Sequence, residues 1–255
     1  MSGVTRTTTE ECAATIDSAA MTWRDRVGHA DWNAIRVELD SYGCALTGPL
    51  LTAQEADDMA ALYADDTRFR ATVNMGRHRF GEGEYRYFAE PFPDAVVGLK
   101  QRSIRVYCRS PGTGGASSAA KPRGRTAWTI GWTCAIPPGR PNPTPILLKY
   151  GAGDWNAWHR DLYGDLVFPL QVVINLSDPG VDHTGGEFLL YEQRPRAQSR
   201  AIATLIPHRH GLVFTTRDRP VKSTRGWSAA PVRHGVSVIR SGQRITLALV
   251  FHDAA

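Results

Sequence analysis

The chain has 255 residues, of which 42% are hydrophobic, and its 30 basic against 25 acidic residues give a formal net charge of +5. That length suffices for one large core, while no apolar run reaches the roughly 18 residues of a membrane-spanning helix and the polar start "MSGVTRTTTEECAATIDSAA" lacks the apolar stretch of a signal peptide. Four cysteines (Cys12, Cys44, Cys108 and Cys134) without C-x-x-C spacing speak against a zinc site or a disulfide scaffold, so a cytoplasmic chain with reduced thiols is expected.

Residues 1–30 are read as a flexible N-terminal tail, with Met21 as an alternative start, and residues 31–255 as a single domain. Trp32, Ile35, Val37 and Leu39 fall roughly on one helical stripe. In "LLTAQEADDMAALYADD", Thr52 and Glu55 have the spacing of a capping box, and Met59, Leu62 and Tyr63 recur on one face. "RHRFGEGEYRYF", residues 77–88, is Gly-punctuated, aromatic and charged, the texture of a loop or hairpin reaching over something rather than core.

Residues 103–141 are rich in Gly, Ser, Pro and Arg and have no sustained period. They also distort the charge. Residues 102–141 hold seven basic residues and no acidic one, so the remainder carries 23 basic against 25 acidic residues, a net of −2. The +5 therefore says little about an acidic partner. Across "AWTIGWTCAI", residues 127–136, the last base of each codon read with the first two of the next turns both Trp-Thr steps into Asp. The other steps admit "LDDWLDMCH", ordinary acidic-apolar protein text. We read 103–141 as irregular and out of frame, with the frame restored before "PTPILLKY"; a stop codon in the alternative frame of the gene removes that reading.

Short strands separated by turn signals follow, near 145–150, 167–176, 187–191, 201–206, 211–215, 232–239 and 244–252, with "DPG", "TGG", "HRHG" and "RSGQ" between them. No helical period intervenes, which argues against a parallel α/β sheet. The expected fold class is α+β, mainly β: N-terminal helices supporting a jelly-roll core over residues 145–255.

"GDWNAWHRDLYGDLVFPLQVVINLSD", residues 153–178, contains His159 and Asp161, and "RHGVSVIRSGQRITLALVF" supplies His234, then Arg244 and Thr246. A His-x-Asp pair alone is most often structural. Two imidazoles and one carboxylate on a β-sandwich, however, can occupy one face of Fe(II) and leave positions for a chelating cosubstrate and O2. Arg244 and Thr246 stand at i and i+2 of a strand and so share a face. A guanidinium pairs a carboxylate bidentately, which suits the distal carboxylate of 2-oxoglutarate, and Tyr150, ending a strand, adds a phenolic hydroxyl. His183, His208, His210 and His252 are read as solvated or structural.

At these residues the chain resembles the 2-oxoglutarate/Fe(II) dioxygenases, and more closely a bacterial AlkB-related group proposed to act on damaged DNA. The resemblance runs through "DDTRFRATVNMGRHRFGEGEYRYF", "PTPILLKYGAGDWNAWHRDLYGDLVFPLQVVINLSDPG", "TGGEFLLYEQRPRAQSR", "RDRPVKSTRGW" and "VRHGVSVIRSGQRITLALVFHDA", about residues 32–100 and 142–255. It implies a double-stranded β-helix with iron on His159, Asp161 and His234, and 2-oxoglutarate on Arg244 with Tyr150 and Thr246. The implied reaction decarboxylates 2-oxoglutarate to succinate and CO2 and hydroxylates a substrate C–H bond, an N-methyl group then leaving as formaldehyde. Residues 103–141 depart from the family, which carries helices there.

"RHRFGEGEYRYF" is the candidate substrate lid, with Arg77, His78, Tyr85, Arg86 and Tyr87 as contacts to a flipped base; a surface hairpin packing its own aromatics is the plain alternative. Nucleic acid is thus one substrate class. A protein side chain or small molecule is another, since "TGGEF" is shared with prolyl-hydroxylase-like sequences. A binding module inactivated by the disrupted 103–141 stretch is a third reading, from a different class.

Overall fold

The computed structural model describes residues 21–98, 143–162, 169–193, 197–223 and 226–251. The 103–141 stretch and residues 1–20 lie outside them.

At Thr22 the chain turns helical. The Thr22 hydroxyl accepts from the Asp25 N–H and the Asp25 carboxylate accepts from the Thr22 N–H, a capping box that opens α1 (Trp23–His29). Trp23 and Val27 bury themselves in the core. The flexible tail expected over residues 1–30 therefore gives way to packed structure from Thr22, because a cap and two apolar anchors offset the helix's short length. Asp31 caps α2 (Trp32–Tyr42), and Gly43 ends it in the left-handed conformation at φ 83°. Ile35 and Leu39, one turn apart, face inward. Val37 does not belong to that stripe and is 60% exposed, since two residues rotate a helix by about 200°. The expected box of Thr52 and Glu55 opens α3 (Ala53–Ala61), whose Ala56 and Met59 are buried, with Tyr63 following in a 3-10 turn.

The N-terminal part is completed by β1 (Cys44–Pro49), β2 (Phe69–Asn74), α4 (Met75–His78), β3 (Gly81–Glu82) and β4 (Glu84–Phe88). The core continues with β5 (Pro143–Tyr150), β6 (Trp155–His159), β7 (Leu170–Asn175), β8 (His183–Gly185), β9 (Phe188–Glu192) and β10 (Arg200–Thr204). It closes with β11 (His210–Thr215), β12 (Asp218–Ser223), β13 (Gly226–Val236), β14 (Ile239–Gly242) and β15 (Arg244–Phe251). These form two antiparallel sheets, β1-β11-β7-β15-β5-β4-β2 and β10-β9-β13-β6-β3 with β12 beside β13, plus a β14-β8 pair. The mainly β, jelly-roll expectation is borne out.

Alternation along the strands decides what each face meets. Leu147, Leu170, Val172, Ile174, Leu247 and Leu249 leave one face of the large sheet and pack against the helices. Ile146, Leu148, Tyr150, Gln171, Val173, Arg244 and Thr246 leave the other face and line a cavity between the two sheets. Among the described residues no helix is long and apolar enough to cross a membrane.

Among the strands, three departures from the sequence expectation bear on the site. "WNAWH" forms β6 although its two polar side chains hide the strand pattern. "TGG" and "RSGQ", expected as turns, instead supply most of the β14-β8 pair. The presumed lid over residues 77–88 is α4, β3 and β4, and β4 lies inside the large sheet between β2 and β5.

A buried charge cluster ties the small sheet to α2. Arg219 Nε donates to Glu192 Oε2 at 2.5 Å, Arg219 Nη1 donates to the Asp40 carbonyl at 2.6 Å, and Arg200 Nη2 donates to Glu192 at 3.3 Å. The Arg219 and Glu192 side chains are each 3% exposed. Glu192→Ala leaves a buried guanidinium without its counter-charge and is expected to lower stability by about 3–5 kcal/mol in urea unfolding. A loss below about 1 kcal/mol would show that the α2 carbonyl alone holds the arginine.

Candidate metal centre and cosubstrate pocket

β6 and β13 pair antiparallel with His159 directly opposite His234, which brings the two imidazoles to a centroid separation of 4.1 Å. Asp161, two residues past His159, swings back between them. His234 Nε2 lies 3.2 Å from Asp161 Oδ2, and His159 Nε2 lies 3.7 Å from Asp161 Oδ1. One ligand atom from each of the three falls within 4.8 Å of the others. His159 Nδ1 is 2.7 Å from the Ala157 carbonyl. A carbonyl only accepts, so Nδ1 carries the proton and Nε2 keeps its lone pair. Phe188 stacks on the His234 ring at 5.9 Å and Phe214 tilts against it at 4.8 Å, fixing its plane with apolar walls.

The electrostatics suit ligation. Burial, then the neighbouring His234, pushes His159 down to about 4, so it is neutral at physiological pH. Burial alone raises the Asp161 carboxyl, but the His234 hydrogen bond and the two histidines outweigh it and hold Asp161 well below the usual carboxylate range.

The three side chains line a cavity of about 510 Å³ together with Arg244, Tyr150 and Thr246. Arg244 faces Tyr150 in the β15-β5 register, with its guanidinium carbon 5.8 Å from the Tyr150 ring centroid. Arg244 is 2% exposed and makes no ion pair among the described residues. Burial pushes it down to about 10, which leaves it charged at neutral pH. Tyr150, fully buried, is pushed up to about 12 by burial and so stays protonated; its hydroxyl accepts from Asn156 Nδ2 at 3.2 Å. Gly186, at φ 75°, lets the Arg244 stem pass, since a Cβ there would stand 2.9 Å from Arg244 Cδ.

The expected lid residues divide. Tyr85 and Tyr87 alternate into the cavity wall with their rings edge-on at 5.4 Å. Arg86 lies between them and leaves the opposite face, where Nη1 donates to Asp66 at 2.6 Å and Nε to Glu84 at 3.0 Å over the Tyr63 ring. It does not line the cavity. Arg77 and His78 sit on α4 and do not line the cavity, His78 stacking on Phe80 at 5.5 Å. Among the remaining histidines, His183 is 2% exposed with Nδ1 on the Gly185 carbonyl, His208 and His210 are half-buried outside the cavity, and His252 lies outside the described residues.

Sequence reasoning missed Arg70, Arg160 and Gln171, which also line the cavity. Gln171 is 2% exposed and faces Asp161 closely enough to help lower its pKa, yet its Nε2 has no acceptor within hydrogen-bonding range among the described residues. A lone amide inside the apolar run "FPLQVVI" was the signal for it.

Residues 122–254, just over half of the chain, match the family Oxygenase-NA, described as an oxygenase catalysing oxidative methylation of damaged DNA. The chain belongs to this family. The family match spans β5 to β15 and so contains the His159, Asp161, His234 cluster and Arg244. An uncharacterized protein of Mycobacterium tuberculosis is 69% identical over 117 residues, 46% of this chain and 50% of that protein. The chain thus spans about half the length of the curated relatives it matches. Among solved structures, a Pseudomonas putida prolyl-4-hydroxylase superposes with a TM-score of 0.55 at 14% identity, covering 87% of this chain and 98% of that one. A 2OG-Fe(II) oxygenase family oxidoreductase from Burkholderia pseudomallei gives 0.51 at 14%, covering 88% and 91%. At such identities these structures share the fold.

Proposed function

We propose that the chain is an Fe(II)- and 2-oxoglutarate-dependent dioxygenase acting on alkylated nucleic acid, with His159, Asp161 and His234 as metal ligands and Arg244, Tyr150 and Thr246 receiving the cosubstrate. One observation carries this reading: a donor set of two histidines and one carboxylate opens into the same cavity as a buried guanidinium that makes no ion pair among the described residues. Metal–ligand bonds of about 2.1 Å meeting at right angles need donors about 3 Å apart. The 3.2 Å from His234 Nε2 to Asp161 Oδ2 is close to that spacing, and one donor atom from each of the three residues lies within 4.8 Å of the others.

Each residue then has a defined task. His159 presents a free Nε2 lone pair and loses no proton on ligation. Asp161 supplies the negative charge. Arg244 has given up hydration without gaining a carboxylate partner among the described residues, so a dicarboxylate is its natural complement. Tyr150 accepts from Asn156 and keeps its own hydroxyl proton to donate. Leu148, Val173 and Val236 give the cavity apolar walls that keep water from the reacting groups. With iron and 2-oxoglutarate bound, such a site couples decarboxylation to succinate and CO2 with transfer of one oxygen atom from O2 to a substrate C–H bond.

The family's description supports damaged DNA as the substrate class. This chemistry oxidises a methyl group, so we read the substrate as already alkylated and the methyl as leaving in formaldehyde. The test is turnover with Fe(II), 2-oxoglutarate, O2 and an N-methylated single-stranded oligonucleotide. Succinate and formaldehyde are expected in equal amounts. Oligonucleotide-independent succinate without formaldehyde would redirect the substrate to a protein side chain or small molecule. No metal-dependent succinate at all would remove the oxygenase reading.

A further inference from the structure

The cavity's charge is unbalanced beyond what 2-oxoglutarate accounts for. Three arginines line it (Arg70, Arg160 and Arg244), against one carboxylate, Asp161, which the proposed metal neutralises. Arg244 serves the cosubstrate. Arg70 and Arg160 make no ion pair among the described residues, so two further guanidiniums line the cavity without a carboxylate partner there.

Both are held in place. The β2-β4 register shifts between Phe69 and Ala71, and a bulge of this kind re-aims the side chain within it. Arg70 sits at that irregularity, exposed, with its guanidinium carbon 5.2 Å from the Tyr87 ring centroid. The stacking restrains the plane of the guanidinium while leaving its edge open. Arg160, half-buried between two of the proposed metal ligands, donates from Nε to the Val232 carbonyl at 2.8 Å. That bond braces the side chain, and among the described residues neither terminal nitrogen has a hydrogen-bond partner. Beside them, the edge-on Tyr85 and Tyr87 rings and the half-exposed Phe80 offer flat apolar surface.

We propose that Arg70 and Arg160 form a phosphate-binding rim, distinct from the Arg244 site, that seats a single-stranded nucleic acid with one unstacked base against Tyr85 and Tyr87. The assignment rests on the dioxygenase reading and names its substrate contacts. Two anion positions flanking flat rings suit a nucleotide strand better than an acidic peptide, which brings carboxylates without a planar ring at each residue. A base reaches a metal at this depth only out of its stack, so a single strand avoids the unpairing cost that a duplex imposes.

The test is fluorescence anisotropy of a labelled N-methylated single-stranded DNA on the full chain with Fe(II) and 2-oxoglutarate under anaerobic conditions, across a salt series. Arg70→Gln and Arg160→Gln are each expected to weaken binding about tenfold at low salt. Each is also expected to reduce the slope of log affinity against log salt by roughly 0.7. Tyr87→Leu is expected to weaken binding while leaving the slope intact, because a stacking contact releases no counterion. Retained 2-oxoglutarate binding reports that a variant is folded. Unchanged affinity and slope in both folded arginine variants would overturn the rim while the dioxygenase reading stands. Tighter capture of an acidic peptide than of DNA would overturn the nucleic-acid assignment. Loss of metal-dependent succinate in the unmodified chain would instead remove the reading underneath.

Discussion

Arg244→Met is expected to raise the dissociation constant of 2-oxoglutarate by about 10- to 150-fold, the equivalent of about 1.5–3 kcal/mol for a charge-assisted hydrogen-bonded pair. Methionine replaces most of the buried stem and keeps the packing against Gly186, so the loss isolates the guanidinium. Arg244 lines the cavity, is 2% exposed and makes no ion pair with a carboxylate among the described residues. The charge is therefore already desolvated in the free protein, and the variant even removes a buried charge from it. Stability is expected to hold or rise, while cosubstrate affinity falls. An anaerobic titration of the Fe(II) protein with 2-oxoglutarate measures the second, and urea unfolding the first. Metal affinity is expected to survive, because none of the three proposed ligands touches the substitution. Unchanged 2-oxoglutarate affinity would transfer the role to another base, with the exposed Arg240 the first to examine.

How far the sequence discloses this arrangement depends on what each residue's signal requires. β7 and β15 are buried on both faces or nearly so, and their β-branched runs declare them without tertiary knowledge. The Thr52 and Glu55 box is a local motif and reads directly. β6 is different: five residues beginning and ending in aromatic and polar groups become a strand only because β13 and β3 supply partners. β4 was misread for a related reason. Tyr85 and Tyr87 line a cavity while Glu84 and Arg86 face a polar cluster on the other side, and only Phe88 reaches the core, so the strand shows no aliphatic face. The candidate ligands were legible because residue type, order and the strand context of His234 converge. Arg70 and Arg160 were not, since a bulge and a brace on a distant carbonyl decide where they point. Arg86 was expected beside Tyr85 and Tyr87, and one step of alternation sends it to the opposite face.

Removing one side chain of the His159, Asp161, His234 cluster is expected to have the largest effect on function. Asp161→Asn keeps size and a hydrogen bond to His234 but removes the negative charge, while His159→Ala removes a nitrogen donor at a half-buried site. Either leaves two strong ligands on an ion that needs a full face to stay bound. Loss of an outer-shell partner costs roughly 10- to 100-fold in metal affinity, so loss of a ligand itself is expected to exceed roughly 100-fold and to bring succinate formation to background. The two variants are expected to differ in stability. His159→Ala removes an imidazole that burial and His234 press down to about 4, so the metal-free variant loses that residue's share of the destabilisation between pH 6.5 and about 4, where the unfolded chain takes up the His159 proton and the folded chain does not. Asp161→Asn removes a carboxylate held below its usual range, whose stabilisation is present above the unfolded carboxylate pKa and lost as pH falls through the folded value. Metal titration with Co(II), read from its ligand-field absorption, measures ligation without turnover, and urea unfolding across pH measures the stability difference. Turnover and Co(II) affinity near those of the unmodified chain in either variant would remove that residue from the ligand set.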